Sequence, residues 1–210
     1  MTMTLDRAVL DELLALGTAT LHEAAGRTGV LPPELRPVAA SMRLAGPAFT
    51  VRCPPGDNLW IHRAIYAAAP SDILVVATGD PTAEWGYWGE IMTVAARQAG
   101  IGGLVLQGGT RDHDALIAAG LPIYSLGPCI RGTEKDKTLD HGRLGTPIQL
   151  RDLTIHRGDI IVGDADGLVA LAPHAIHDVI RVARDRVAHE REAIQALHEG
   201  ATTLSLYGLD

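Results

Sequence analysis

The stretch GGLVLQGGTRDHDAL, residues 102–116, sets an arginine and an aspartate just beyond an apolar run, with Gly108-Gly109 between them. Arg111 has the shape to grip a carboxylate through two parallel hydrogen bonds. Asp112 offers an oxygen to a hard cation such as Mg²⁺, which keeps several waters and needs few protein carboxylates. Upstream, GYWGEIM places Gly86 and Gly89 ahead of a predicted helix. The opening turn of a helix has unpaired N–H groups and a partial positive charge, and glycine there lets an anion approach the backbone. Together these groups could hold an α-keto acid by its carboxylate while a cation polarises its keto oxygen. That arrangement stabilises an enolate, the electron sink of a retro-aldol cleavage or a β-decarboxylation. Taken singly, each piece also has a plainer reading. Gly86 and Gly89 could form an ordinary turn, and Asp112 or Asp114 could cap the next helix while Arg111 points into water.

Composition narrows the chemistry. Lys135 and Lys137 are the only lysines, and both lie in the polar stretch GTEKDKTLDHGR. A Schiff-base lysine needs a desolvated setting that lowers its pKa, so covalent lysine catalysis is not expected. The net charge of -7 disfavours nucleic acid as a partner, which would reward a basic face. It also means that an acidic substrate needs a local cation. Cys53 and Cys129 have no metal-like or redox-like spacing and are read as reduced structural thiols.

Two hundred and ten residues, 47% hydrophobic and 20% charged, suit one domain of residues 1–210 with a substantial core. No apolar run is long enough to span a bilayer. The first residues lack a signal-peptide layout, so a cytoplasmic location is expected, with no membrane partner.

The elements that must position Arg111 and Asp112 follow from periodicity. LDRAVLDELLALG reads as a helix with Thr4 as N-cap and Gly17 as stop, followed by a short helix in TATLHEAAGR. MRLAGPAFTVRC is strand-like, and NLWIHRAIYAAA is a helix capped by Asp57. Then strand DILVVAT, helix EIMTVAARQAG, strand GGLVLQ, helix DALIAAG and strand PIYSLG alternate, as in parallel βαβ units. In such open sheets ligands gather beyond the C-terminal ends of the strands, where Arg111 and Asp112 stand. Residues 127–146 read as a long polar loop. Short strands PIQL, LTIH, DIIVGD and GLVALA follow, and a charged helix from about His174 to His198 closes the chain. The polar face of that helix could pack on its own domain or reach a neighbouring subunit. GDADG, residues 163–167, recurs in calcium loops but lacks the later ligands, and is read as a hairpin turn. Arg157-Gly158-Asp159 is read as the turn before that hairpin. His174 and His177 are read as a helix surface pair.

The segment GYWGEIMTVAARQAGIGGLVLQGGTRDHDAL resembles the signature region of the RraA-like family. It is most similar there to the aldolases of 4-hydroxy-4-methyl-2-oxoglutarate and 4-carboxy-4-hydroxy-2-oxoadipate. ATLHEAAGRTGVL, CPPGDNLWIHRAI and RGDIIVGDADGLVALAP resemble further family blocks. The resemblance implies an α/β fold, a β/β/α sandwich of the swivelling-domain type, with a long C-terminal helix. It implies a lyase dependent on Mg²⁺ or Mn²⁺ that releases pyruvate from a 4-hydroxy-2-oxo acid, with oxaloacetate decarboxylase side activity. Homotrimers or hexamers with sites between subunits are also implied. Carried over by position, Arg111 binds the pyruvate carboxylate and Asp112 holds the metal. Gly89, Glu90 and the backbone amides of Ile91 and Met92 form the substrate cradle. Glu90 also orders metal-bound water, and Glu190 is supplied to the neighbour's site, with Glu192 nearby. Asp57 and Asn58 fall in a block near the site. Ala115 and Gln107 stand where relatives often carry acids, and loop GTEKDKTLDHGRLG is distinctive. Two other roles occur in the family resemblance, a dedicated oxaloacetate decarboxylase and a non-catalytic regulator that binds ribonuclease E.

Overall fold

The computed structural model describes residues 6–80, 82–138 and 141–209. Helices α1 (Arg7–Leu16) and α2 (Thr18–Ala24) open the chain, and strands β1 (Arg36–Pro37) and β2 (Leu44–Arg52) follow. Helix α3 (Leu59–Ala67), strands β3 (Ile73–Ala77) and β4 (Gly86–Trp88), and helix α4 (Glu90–Gln98) lead into β5 (Gly103–Thr110). Next come α5 (His113–Ala119), β6 (Ile123–Pro128), β7 (Arg143–Leu144), β8 (Ile148–Leu150) and β9 (Leu153–Ile155). Strands β10 (Ile160–Gly163) and β11 (Leu168–Leu171) precede helices α6 (Ile176–His198) and α7 (Thr203–Tyr207).

The main sheet runs β1-β6-β5-β3-β2-β10-β11, with β4 also on β5 and β7 also on β2. Strands β2, β3, β5 and β6 are parallel, and each crossover adds the next strand on the same side. Right-handed crossovers that always advance in one direction stack their helices on one face of the sheet. Strand alternation shows the consequence. Leu74, Val76, Leu104 and Leu106 share a core with Ile61, Ile65, Met92 and Leu116 of α3, α4 and α5. Their neighbours Ile73, Val75 and Val105 face the opposite side. There they pack on Ile148, Leu150 and Ile155 of the separate β8–β9 hairpin. The layers are therefore hairpin, sheet and helices, the β/β/α order expected of the family resemblance.

Several local readings shift. Thr4, expected to cap α1, lies outside the described residues; Asp6 caps the helix by accepting from the Ala8 amide at 3.4 Å, and Gly17 (φ 80°) ends it. Asn58 occupies the N-cap position of α3, yet the Asp57 carboxylate accepts the Leu59 amide at 2.8 Å. Within the expected long loop, Arg143 and Leu144 form β7 and pair with β2. A 3₁₀ turn, Pro173–Ala175, precedes the closing helix, with Pro173 at its first position, where no amide is needed. Helix α6 buries Ile176, Val179, Ile180 and Ala183 and none of its later residues. His174, in the 3₁₀ turn, and His177, on α6, are both exposed, and the 163–167 turn joins β10 to β11 as expected. Among the described residues no helix is long and apolar enough to cross a membrane.

Asp164, in that hairpin turn, does more than turn the chain. Its buried carboxylate accepts the Thr18 amide (2.8 Å), the Thr18 hydroxyl (2.7 Å) and the Asp166 amide (3.0 Å), tying α2 to the hairpin. Burial pushes its pKa up, but these hydrogen bonds outweigh burial, and the net shift is below the usual 3.8. A depressed carboxyl pKa contributes stability above the unfolded value and loses it as pH falls through the folded one. Asp164→Asn should therefore cost about 1–3 kcal/mol at neutral pH. In urea melts the gap to the parent should close as pH drops below 3.8; a gap independent of pH would contradict the assignment.

Candidate active site at two strand-to-helix junctions

Two junctions meet at the C-terminal end of the parallel strands. Strand β4 lies against the end of β5, with Gly86 opposite Gly109 and Trp88 opposite Thr110. The Arg111 amide donates to the Trp88 carbonyl at 2.9 Å, and the Gly109 amide to Trp85 at 3.1 Å. The start of α4 and the start of α5 are thereby held side by side. Glycine is required for this contact. A Cβ on Gly86 would stand 2.2 Å from the Cys129 carbonyl oxygen, and one on Gly109 2.7 Å from the Cys129 Cβ.

Gly89 is the N-cap of α4, and a Cβ there would lie 2.5 Å from Asp112 Oδ2 and 3.2 Å from Arg111 Cγ. The Asp112 carboxylate accepts the Glu90 amide at 3.1 Å, and Arg111 Nε lies 3.9 Å from the same oxygen. Asp112 thus occupies the N-cap position of α5 but directs its carboxylate to α4, making no cap bond of its own. Its backbone is left-handed, φ 62°, a conformation that costs a non-glycine residue about 1–3 kcal/mol and clusters at functional sites. The amides of Ile91 and Met92 have no hydrogen-bond acceptor among the described residues. Two open N–H groups at a helix start, next to a guanidinium, are chemically able to receive an anion.

Arg111, Asp112 and His113 line an open cavity of about 510 Å³ with Thr110, Pro128, Cys129 and Ile130. His113 is held by Thr110 Oγ1 at 2.8 Å, which in turn lies 3.3 Å from Ser125 Oγ. Ile91 on one side and Ile130 on the other are 82% and 94% exposed, so apolar surface flanks the charged centre.

The structure brings Gly89, Glu90, Ile91, Met92, Arg111 and Asp112 together. It does not bring Glu190 to them within one chain. Glu190 pairs with Arg186 at 3.0 Å, and Arg186 also pairs with Glu23, in the bundle of α1, α2 and α6. Lys135 and Lys137 are exposed, and Cys53 and Cys129 are free thiols. Burial raises the Cys53 thiol to about 12, which leaves it protonated and unreactive. Supporting residues went unread in the sequence. Trp88 Nε1 donates to Thr93 Oγ1 at 2.6 Å, and Thr93 donates to the Gly89 carbonyl at 3.1 Å, beneath the cradle. Asn58, which the family resemblance does set near the site, donates from Nδ2 to the Tyr87 carbonyl at 2.9 Å from the start of α3. The glycines were the available signal; nothing in the order of residues announces the Trp88–Thr93 pair.

The family profile described as RraA-like, Aldolase/RraA, matches residues 8–170. The chain is a member of the RraA-like family. A protein of Halalkalibacterium halodurans, provisionally named 4-hydroxy-4-methyl-2-oxoglutarate aldolase, is 29% identical over 94% of this chain and 92% of its own. A solved structure from Pseudomonas syringae superposes with a TM-score of 0.82 at 28% identity, covering 96% of this chain and 93% of that one. Streptomyces coelicolor RraAS2, described as an unusual member of the RNase ES inhibitor RraA family, gives 0.77 at 21% identity, over 91% and 98% of the two chains. That last likeness is one of fold.

Because Gly89 admits Asp112 and Arg111 to the helix start, a single methyl group is a sharp probe. In Gly89→Ala, oxalate affinity measured calorimetrically with Mg²⁺ present should fall at least about tenfold, the loss of one charge-assisted contact. The thermal midpoint should drop by only a few degrees. Unchanged affinity would show that the cradle does not hold the anion.

Proposed function

We propose that this RraA-like chain is a divalent-metal-dependent lyase that cleaves a 4-hydroxy-2-oxo di- or tricarboxylic acid and releases pyruvate. The observation that carries the reading is the left-handed Asp112, placed with Arg111 beside the open Ile91 and Met92 amides. The name given to the Halalkalibacterium relative supports the same class of substrate.

The donor set suits Mg²⁺ or Mn²⁺. A single carboxylate at the edge of an open cavity suits a hard cation that keeps most of its own waters. Asp112 would hold it, since its second carboxylate oxygen has no partner among the described residues. A bound cation supplies Lewis acidity at the substrate's keto oxygen.

The chain's own residues do the rest. Arg111 pairs with the 1-carboxylate through its guanidinium, and the Ile91 and Met92 amides take the other side of that carboxylate. Gly89 keeps this approach open. Glu90, at the mouth of the cradle, orders water next to Asp112. Glu190, supplied by a neighbouring subunit of a homotrimer or hexamer, takes the 4-hydroxyl proton. The C3–C4 bond then breaks, and the pyruvate enolate forms beside Arg111 and the helix start, which stabilise its charge. Oxaloacetate decarboxylation would use the same enolate. A second reading, a regulator that binds a ribonuclease, has the exposed Ile91 and Ile130 in its favour.

The test is pyruvate release, coupled to lactate dehydrogenase, from 4-carboxy-4-hydroxy-2-oxoadipate, 4-hydroxy-4-methyl-2-oxoglutarate and oxaloacetate. EDTA and Asp112→Ala should abolish turnover. Arg111→Ala should lower kcat/KM at least about 100-fold, as expected for a charge-assisted contact strengthened in the transition state. Full turnover in either variant sinks the lyase reading. Absence of turnover with every acid, together with stoichiometric capture of a ribonuclease, would favour the regulator.

A further inference from the structure

The cavity at Arg111 extends away from the start of α4. Its wall is formed by residues 110–113 at the β5–α5 junction and by Pro128, Cys129 and Ile130 at the end of β6, and residues 89–92 do not line it. The Arg111 side chain joins the two regions. Its Nε lies 3.3 Å from the position a Cβ on Gly89 would take, and its Nη1 lies 3.8 Å from the same position on Gly132. A ligand whose first carboxylate sits between Arg111 and the Ile91 and Met92 amides has this cavity beside it for its remaining atoms.

His113 is half-buried in that wall, and two fully buried hydroxyl residues hold its ring. Nε2 lies 2.8 Å from Thr110 Oγ1, and Thr110 Oγ1 lies 3.3 Å from Ser125 Oγ, which also accepts the Gly127 amide at 3.3 Å. Each hydroxyl carries one proton, and a buried proton needs an acceptor. If Nε2 carried the ring proton, it would donate to Thr110 and Thr110 to Ser125. The Ser125 proton would then have no acceptor among the described residues. In the opposite direction Ser125 donates to Thr110 and Thr110 to Nε2, and every proton is placed. The neutral ring therefore carries its proton on Nδ1, which has no partner among the described residues. A neutral donor fixed in this way suits a carboxylate oxygen, while Pro128 and Ile130 offer apolar contact to the carbons before it.

We infer that this cavity is the subsite for the tail of the substrate, in which His113 Nδ1 donates to the second carboxylate while Thr110 and Ser125 act as positioning residues. The inference rests on the lyase reading for its substrate class, a 2-oxo acid with a further carboxylate on C4. It is tested by titration calorimetry on the full chain, with Mg²⁺ present, using 2-oxoglutarate and 2-oxopentanoate. The two acids have equal chain length, and the second has a methyl group in place of the distal carboxylate. The parent protein should prefer 2-oxoglutarate at least about tenfold, the gain from one hydrogen bond to a charged group. His113→Leu should bring that ratio close to one. His113→Asn, which keeps an N–H near the place of Nδ1, should retain most of it. His113→Gln, whose amide falls near the place of Nε2, should lose it, as should Thr110→Val in part. A purely structural role for His113 would weaken both acids alike and leave the ratio in place. A parent protein without the preference, whether it binds both acids or neither, overturns the inference. So does a preference that survives both His113→Leu and His113→Gln. Pyruvate release, measured on the same samples, reports separately on the lyase reading: its absence with the His113-dependent preference intact would count against that reading alone.

Discussion

The contact between Asp112 and the first amide of α4, across Gly89, is the constraint on which the rest of the candidate site depends. It brings two strand-to-helix junctions so close that a methyl group at Gly89 would have to displace the Asp112 carboxylate. The backbone hydrogen bond from Arg111 to Trp88 fixes their register, and the left-handed turn at Asp112 aims the carboxylate back across the gap. Asp112 would ordinarily cap α5. Giving up that role leaves α5 without a side-chain cap and stores strain at the residue whose carboxylate is wanted elsewhere.

The one-sided winding of the sheet makes the junctions meet. Because β2, β3, β5 and β6 are laid down in one direction, α3, α4 and α5 share a face and their N-termini share an end. The dipoles of the helix starts therefore add near Arg111. The opposite face is left for the β8–β9 hairpin, which shields Val75 and Val105 and borders a cavity of its own. One topological choice thus leaves separate cavities at the strand ends on the two faces of the sheet.

Much of the candidate site was legible in the residue order. Gly86, Gly89 and Gly108-Gly109 mark close approaches, and the Arg111-Asp112 pair falls at a strand end, where α/β sheets collect ligands. The RraA-like signature drew these segments together before any contact was known. The β8–β9 layer was legible only as two short strands, since a hairpin packed on a sheet has the same alternation as one paired within it. Glu190 shows the limit of a single chain. Its position on α6 was foreseen, but within one protomer it is held by Arg186 beside Glu23, remote from the residues it would serve.

By itself the sequence determined the periodic elements, the acidic surface, the lack of a buried lysine and the glycines that permit close approach. Each of those depends on local geometry or on residue chemistry, which neighbours in the chain are enough to specify. Only the tertiary structure decided where Asp112 points, that the Ile91 and Met92 amides stay open, and that Trp88, Thr93 and Asn58 brace them. It also decided that Arg52, Gln107 and His141 line one cavity. Those relations join residues far apart in the chain, and no local propensity encodes a contact that exists only once the sheet has closed its register.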